Sequence, residues 1–155
     1  MSATVTDRPI EGRFDAREHR FPVRVYFEDT DLSAVVYHAN YLRYMERARS
    51  DMLRLAGIDQ RGVYESGGGA YAVSSLNIKY RASARLDDAL VVRTRLIAVR
   101  AASVDIHQRV MRGETILTDA QVTAAMVASS GRPVRQPEAW RQRFADMIWI
   151  EEEAA

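Results

Sequence analysis

The chain has no cysteine, one lysine (Lys79), and no apolar run long enough to cross a bilayer. Each absence closes a class of function. Without thiols there is no disulfide framework, no thiolate metal site and no cysteine nucleophile. Without about 20 consecutive apolar residues there is no spanning helix. The stretch from Met1 to Arg20 is polar and charged and lacks the apolar core of a signal peptide. A cytoplasmic chain is therefore expected, with 1–19 as a loose N-terminal arm. Nor does either sign of charge dominate. The 22 basic and 21 acidic residues leave +1, which argues against a disordered tail and a dedicated nucleic-acid binder. The basic charge is nearly all arginine, whose planar fork suits phosphate and carboxylate. Genomic base composition explains the same bias more simply.

What is present fits one domain over 20–150. A chain of 155 residues, 47% hydrophobic, can close a single core. Val23 and Val25 alternate with Arg24 in a strand expected over Phe21–Glu28, with Pro22 near its start. The period then changes. Tyr41, Met45, Ala48, Met52 and Leu55 recur at helical spacing, with Asn40 expected as N-cap and Gly57 as the stop. A weakly patterned connector, 58–66, holds at most a short helical turn, and Gly67-Gly68-Gly69 breaks the chain. Four strands are expected next, over Tyr71–Arg81, Ala89–Val99, Ser103–Met111 and Thr115–Ala128, with a hairpin turn at Arg112-Gly113-Glu114. An amphipathic helix over Pro137–Trp149 closes the chain, with Trp140, Phe144 and Ile148 on one side. One long helix cannot cover two layers of strands. An α+β fold is therefore expected, a curved five-stranded antiparallel sheet wrapped around a central helix, with a C-terminal helix added.

The densest chemical signal runs from Arg24 to Tyr41, Arg-Val-Tyr-Phe-Glu-Asp-Thr-Asp-Leu-Ser-Ala-Val-Val-Tyr-His-Ala-Asn-Tyr. It places acids where a strand ends and just before a helix begins. A helix N-terminus carries roughly half a positive charge and unpaired N–H groups, so it can hold a carboxylate or steady an oxyanion. Glu28, Asp29 and Asp31 lack the longer oxygen-ligand run and glycine-assisted bend of a calcium loop, so no metal is expected. Glu46, on the helix, is a second acid whose arginine neighbours Arg43, Arg47 and Arg49 favour a surface or interface ion pair.

The Asp29-Thr30-Asp31 core, Val35-Val36-Tyr37 and His38-Ala39-Asn40-Tyr41 resemble the signature of hotdog-fold thioesterases of the 4-hydroxybenzoyl-CoA type. Met45-Glu46-Arg47-Ala48-Arg49 and Tyr80-Arg81-Ala82-Ser83-Ala84-Arg85-Leu86-Asp87-Asp88 resemble the Tol-Pal-associated branch. The resemblance covers roughly 21–133. It implies an acyl-CoA thioesterase without cofactor or metal, acting on acyl-CoA or an acyl carrier protein thioester, as a homodimer at least and in the wider family a tetramer. Asp31 is implied as the catalytic carboxylate, either nucleophile or general base on water. His38 either assists the chemistry or simply sits satisfied at the helix entrance. Backbone N–H groups of Val35, Val36 and Tyr37 are candidates for polarising the thioester oxygen. Arg100 and Ser103 fall where the family holds the nucleotide end of coenzyme A, with Lys79, Arg81, Arg132 and Arg135 as weaker candidates. His19 and His107 are expected to be bystanders.

Two stretches depart from the branch pattern. Leu32-Ser33-Ala34 stands where small, glycine-containing residues are usual, and alanine lacks glycine's freedom at positive φ. Phe27 stands where a tyrosine is usual. Competing readings are a hydratase on the same fold, whose His-plus-acid motif is missing, and a catalytically weak partner of an envelope or phospholipid-synthesis complex.

Overall fold

The computed structural model describes residues 7–151. In chain order they form β1 (Arg13–Asp15), β2 (Glu18–Arg24), α1 (Asn40–Leu55), α2 (Gln60–Glu65), β3 (Ala70–Tyr80), β4 (Ala89–Val99), β5 (Ser103–Arg112), β6 (Thr115–Val127) and α3 (Glu138–Ala145). The strands make one antiparallel sheet in the order β1-β2-β4-β5-β6-β3. Its inner face wraps α1, the hotdog arrangement. No helix among the described residues is long and apolar enough to cross a membrane.

Alternation places the core. Leu90, Val92 and Leu96 of β4, Val104, Ile106 and Val110 of β5, and Ala120, Val122 and Ala124 of β6 are buried. They meet Tyr41, Tyr44, Met45, Ala48 and Met52 on α1. Each large side chain so buried contributes roughly 1.5–3 kcal/mol. In these strands three buried polar residues, Thr94, Gln108 and Thr118, interrupt the apolar pattern. Gln108 is fully buried and donates from Nε2 to the Met45 carbonyl and to Thr94 Oγ1, both at 3.0 Å. Its Oε1 accepts from Arg49 Nη1 at 2.9 Å.

The sheet has six strands, not five. The additional strand, β1, lies within the stretch expected to be a loose arm, the first six residues of which fall outside the described residues. A turn through Ala16, at φ +55°, folds β1 back on β2. β2 accordingly starts at Glu18 and stops at Arg24, and the chain leaves the sheet for a 3-10 turn at Phe27–Asp29. α3 is shorter than the expected closing helix; beyond it Ile148 pairs with Leu96 in a parallel bridge. Asn40 lies inside α1 rather than capping it, and Leu55 is 37% exposed rather than part of the buried stripe.

His19 is no bystander to the fold. It is fully buried, and its Nε2 lies 2.7 Å from Asp51 Oδ2, which also accepts the Gly12 N–H at 2.9 Å. Its Nδ1 has no hydrogen-bond partner among the described residues. Burial holds the imidazole below its ordinary pKa, with the Asp51 bond acting in the opposite direction. The unfolded chain, with a histidine near ~6.5, therefore takes up this proton first as pH falls. The associated stability is complete above about pH 6.5 and is lost as pH drops through the folded value. The thermal midpoint should fall as pH drops below about 6.5, above the range in which ordinary carboxylates titrate. In His19→Gln, calorimetry should show a lower midpoint with no histidine-linked decline in that window. An unchanged slope would remove His19 as its source.

Candidate active site

Two stretches far apart in sequence build the loop between β2 and α1. Val25 leaves β2 and pairs with the turn before β4. Its N–H donates to Asp88 O, and the Asp87 N–H donates to Val25 O, both at 3.0 Å. Asp29 then ties the loop to the helix. Buried, it accepts the Tyr26 N–H on Oδ2 and the Asn40 side-chain amide on Oδ1, each at 2.8 Å. Burial, and next Asp29, push the Tyr44 phenol above its ordinary pKa. The first aspartate of the Asp-Thr-Asp core is therefore a clamp. The missed signal was Asn40, whose polar side chain interrupts an apolar helical stripe.

Asp31 is arranged differently. Its carboxylate is exposed, and Oδ1 accepts both the N–H and the Oγ–H of Ser33 at 2.8 Å. Oδ2 accepts from no described residue. Ser33's side-chain bond, followed by its backbone bond, holds the Asp31 carboxyl below the usual carboxylate range. Ser33, one of the departing residues, is thus Asp31's own partner, in the Asp-x-Ser turn chemistry that such a triplet favours. The loop closes through Asp31 N–H to Val35 O and Ala34 N–H to Asp31 O, both at 3.0 Å.

That closure puts Ala34 at φ +65°. The loop keeps the left-handed conformation without glycine. An L residue there costs about 1–2 kcal/mol, of which glycine's greater unfolded-state entropy would offset about 0.5–1 kcal/mol. Ala34→Gly should therefore stabilise the protein by roughly 0.5–1 kcal/mol and raise Tm by about 1–4 °C. Differential scanning calorimetry checks this, and a lowered Tm would contradict it.

The other residues singled out from sequence divide. Val36 N–H donates to Ala84 O and Tyr37 N–H to Asp29 O, both at 2.9 Å. Neither is left for a thioester oxygen, which corrects two of the three oxyanion candidates. Among those three, the Val35 N–H faces the Asp31 carboxylate and helps to hold it below the usual carboxylate range. His38 is exposed at the entrance to α1, and its carbonyl accepts the Tyr80 hydroxyl at 2.8 Å. Ala84 N–H donates to the Tyr41 hydroxyl at 2.9 Å, and Val35 bridges Arg85. The two stretches that carry the family resemblance are thus bonded to each other.

Arg100 and Ser103 lie elsewhere. They flank the β4–β5 turn, separated from the Asp31 loop by the 11 residues of β4, on the order of 30 Å at about 3.3 Å per residue. Arg100 is paired with Asp105 at 2.7 Å. His107, expected to be a bystander, approaches Asp119 to 2.6 Å on the outer face of the sheet. Glu46 forms no ion pair within 4 Å among the described residues of its own chain; it borders a cavity of about 230 Å³. That cavity lies between α1 and the sheet, walled by Met52, Leu53, Leu96, Val104, Ile106 and Phe144, with Arg49 also facing it. Tyr71, Ala72 and Val73 of β3 also border it, and Asp31 of the same chain does not.

Residues 25–144 match the model of the thioesterase-like superfamily. The chain is 42% identical over 125 residues to the acyl-CoA thioesterase YbgC of Haemophilus influenzae, covering 80% of this chain and 92% of that protein. It is 41% identical over 109 residues to the acyl-CoA thioester hydrolase YbgC of Escherichia coli O6:H1, covering 70% and 81%. Among solved structures, a probable thioesterase from Bartonella henselae superposes with a TM-score of 0.72 at 36% identity, covering 77% of this chain and 99% of that one.

Proposed function

The chain belongs to the thioesterase-like superfamily, and on that premise we propose that it hydrolyses an acyl-CoA thioester to the free acid and coenzyme A through Asp31. The observation that carries this reading is the state of that carboxylate. Oδ1 is anchored by Ser33, Oδ2 is open, and the carboxyl is held below its usual range, hence ionised at neutral pH. An anchored carboxylate with one open oxygen suits both routes. It can attack the thioester carbon, expelling the thiolate and leaving an acyl anhydride for water to cleave, or take the proton of a water that attacks instead. On this reading the Val35 N–H, which faces the Asp31 carboxylate, is the remaining oxyanion candidate, and one such donor is worth about 2.7–4 kcal/mol in the transition state. His38, exposed beside the loop, supplies a proton to the leaving thiolate.

The reacting unit is a pair of chains. β3 is an 11-residue sheet edge whose Val73, Leu76 and Tyr80 are exposed. Two copies of β3 running antiparallel would bring one protomer's Asp31 loop to the other's Tyr71 end. The cavity borders that end of β3, and Arg100 and Ser103 lie at the same end of the sheet. Leu32, wholly exposed beside Asp31, would then be covered. The separation between Asp31 and the nucleotide-end candidates within one chain supports this arrangement. A pair of such dimers gives the tetramer, and a cytoplasmic role beside the Tol-Pal system fits the branch. Thiol release from short-chain, long-chain and aromatic acyl-CoAs tests the reaction. Release from none of them would sink it.

A further inference from the structure

One charge in the cavity is not accounted for by hydrolysis or by packing. Arg49 is more than half buried on α1, and among the described residues its one hydrogen bond runs from Nη1 to Gln108 Oε1 at 2.9 Å. No carboxylate lies within 4 Å of it among the described residues. Gln108 is itself fixed by the Met45 carbonyl and Thr94 Oγ1, so Arg49 is held in place. A guanidinium has five N–H donors; most of Arg49's therefore depend on whatever fills the cavity. The remaining wall is mainly apolar, and the Tyr71 hydroxyl is already given to Gln136.

We infer that Arg49 reads a terminal carboxylate on the acyl group, making compact dicarboxylic monothioesters of coenzyme A the preferred substrate class. This rests on the hydrolytic reading above. The physical argument concerns discrimination. A plain hydrocarbon entering the cavity displaces water from Arg49 and leaves its N–H groups unpaired, whereas a carboxylate meets them two at a time. Sites built to satisfy buried polar groups reject analogues that lack the partner. Glu46 lines the same cavity and attracts Arg49, but it is exposed, so solvent screens both that attraction and its repulsion of a bound carboxylate. The cavity volume of about 230 Å³ lies below the ~300–1,000 Å³ of pockets for drug-sized ligands, favouring a short acyl group.

Glutaryl-CoA, 5-hydroxypentanoyl-CoA and pentanoyl-CoA share one chain length and differ at the far end. The wild-type protein should show kcat/KM for glutaryl-CoA about tenfold or more above pentanoyl-CoA. Arg49→Met should bring that ratio close to one, and Arg49→Lys should retain part of it. The ratio is internal to each variant, so partial unfolding lowers both rates and leaves it unmoved. Equal rates on glutaryl- and pentanoyl-CoA, a ratio surviving Arg49→Met, or a preference for the hydroxyl compound over glutaryl-CoA would each overturn the inference. Calorimetric binding of the three thioesters to Asp31→Ala keeps the two readings apart. If no thioester is hydrolysed but glutaryl-CoA binds about tenfold tighter than pentanoyl-CoA, the reaction fails and the Arg49 inference stands. Equal binding overturns the inference even where hydrolysis holds.

Discussion

Asp31→Ala is expected to lower thiol release from acyl-CoA by about 10²- to 10⁴-fold while leaving the fold and assembly intact. The side chain is exposed and its carboxylate is bonded only within its own loop, to Ser33. Surface changes of this kind ordinarily shift stability by less than about 0.5 kcal/mol. Asp31→Asn separates position from chemistry. It keeps an acceptor oxygen for Ser33 but has no carboxylate to attack or accept a proton, and it should lose activity to a similar degree. Because Ser33 lowers the Asp31 pKa, the ionised form persists as the solution is acidified. The acid limb of kcat/KM in the wild type should therefore lie below the ordinary aspartate value of ~3.9, and Ser33→Ala should move it upward. Equal thiol release by wild type and Asp31→Ala would remove Asp31 from the mechanism. Release by neither would favour a catalytically weak acyl-thioester-binding partner.

The second large effect concerns the edge strand. Ser74→Lys combined with Ser75→Lys is expected to yield monomers whose hydrolysis is reduced by at least about 100-fold. These serines sit at the middle of β3, where the register with β6 shifts between Val73 and Ser75. Pairing two copies about that midpoint sets the new lysines against their own images. Like charges facing each other across strands are destabilising, and lysine is a natural guard of sheet edges. Neither serine belongs to the Asp31 loop, and the core of each chain should stay folded. A misplacement of reacting groups by about 1 Å can already cost about 10²-fold; removing the second chain separates them altogether. Analytical ultracentrifugation and the thiol assay together decide the matter. A monomer as active as the wild type would show that one chain suffices.

Local patterning reveals the frame and misses much of what long-range contacts decide. β4 was legible to the residue because Leu90, Val92 and Leu96 alternate with Arg93 and Arg95 against one covered face. β3 shows the limit of that reasoning. Its apolar Ala72, Leu76 and Tyr80 look like core residues in sequence, yet they are exposed because β3 ends the sheet. β1 was illegible since three residues of mixed polarity have no period, and only β2 gives them a partner. At the site, the acidic core stood out, but the division of labour within it did not. Asp29 and Asp31 are two residues apart, and only their partners Asn40 and Ser33 show which one is buried and which faces solvent. The Gln108–Arg49 bond joins positions 59 residues apart, beyond any local pattern.

The two borders of the sheet differ in a way that limits how large an assembly can grow. β1 is three residues long, with Arg13 and Asp15 exposed, and the part of β2 that extends past it contains Pro22, which has no N–H to offer a neighbouring strand. That border terminates growth. β3 alone can accept a strand, and once two copies have met through it, neither has another edge to extend. Strand addition therefore closes at two chains, where a sheet open on both sides would continue into a ribbon. Any larger assembly has to be made through the faces of the sheet or through the helices.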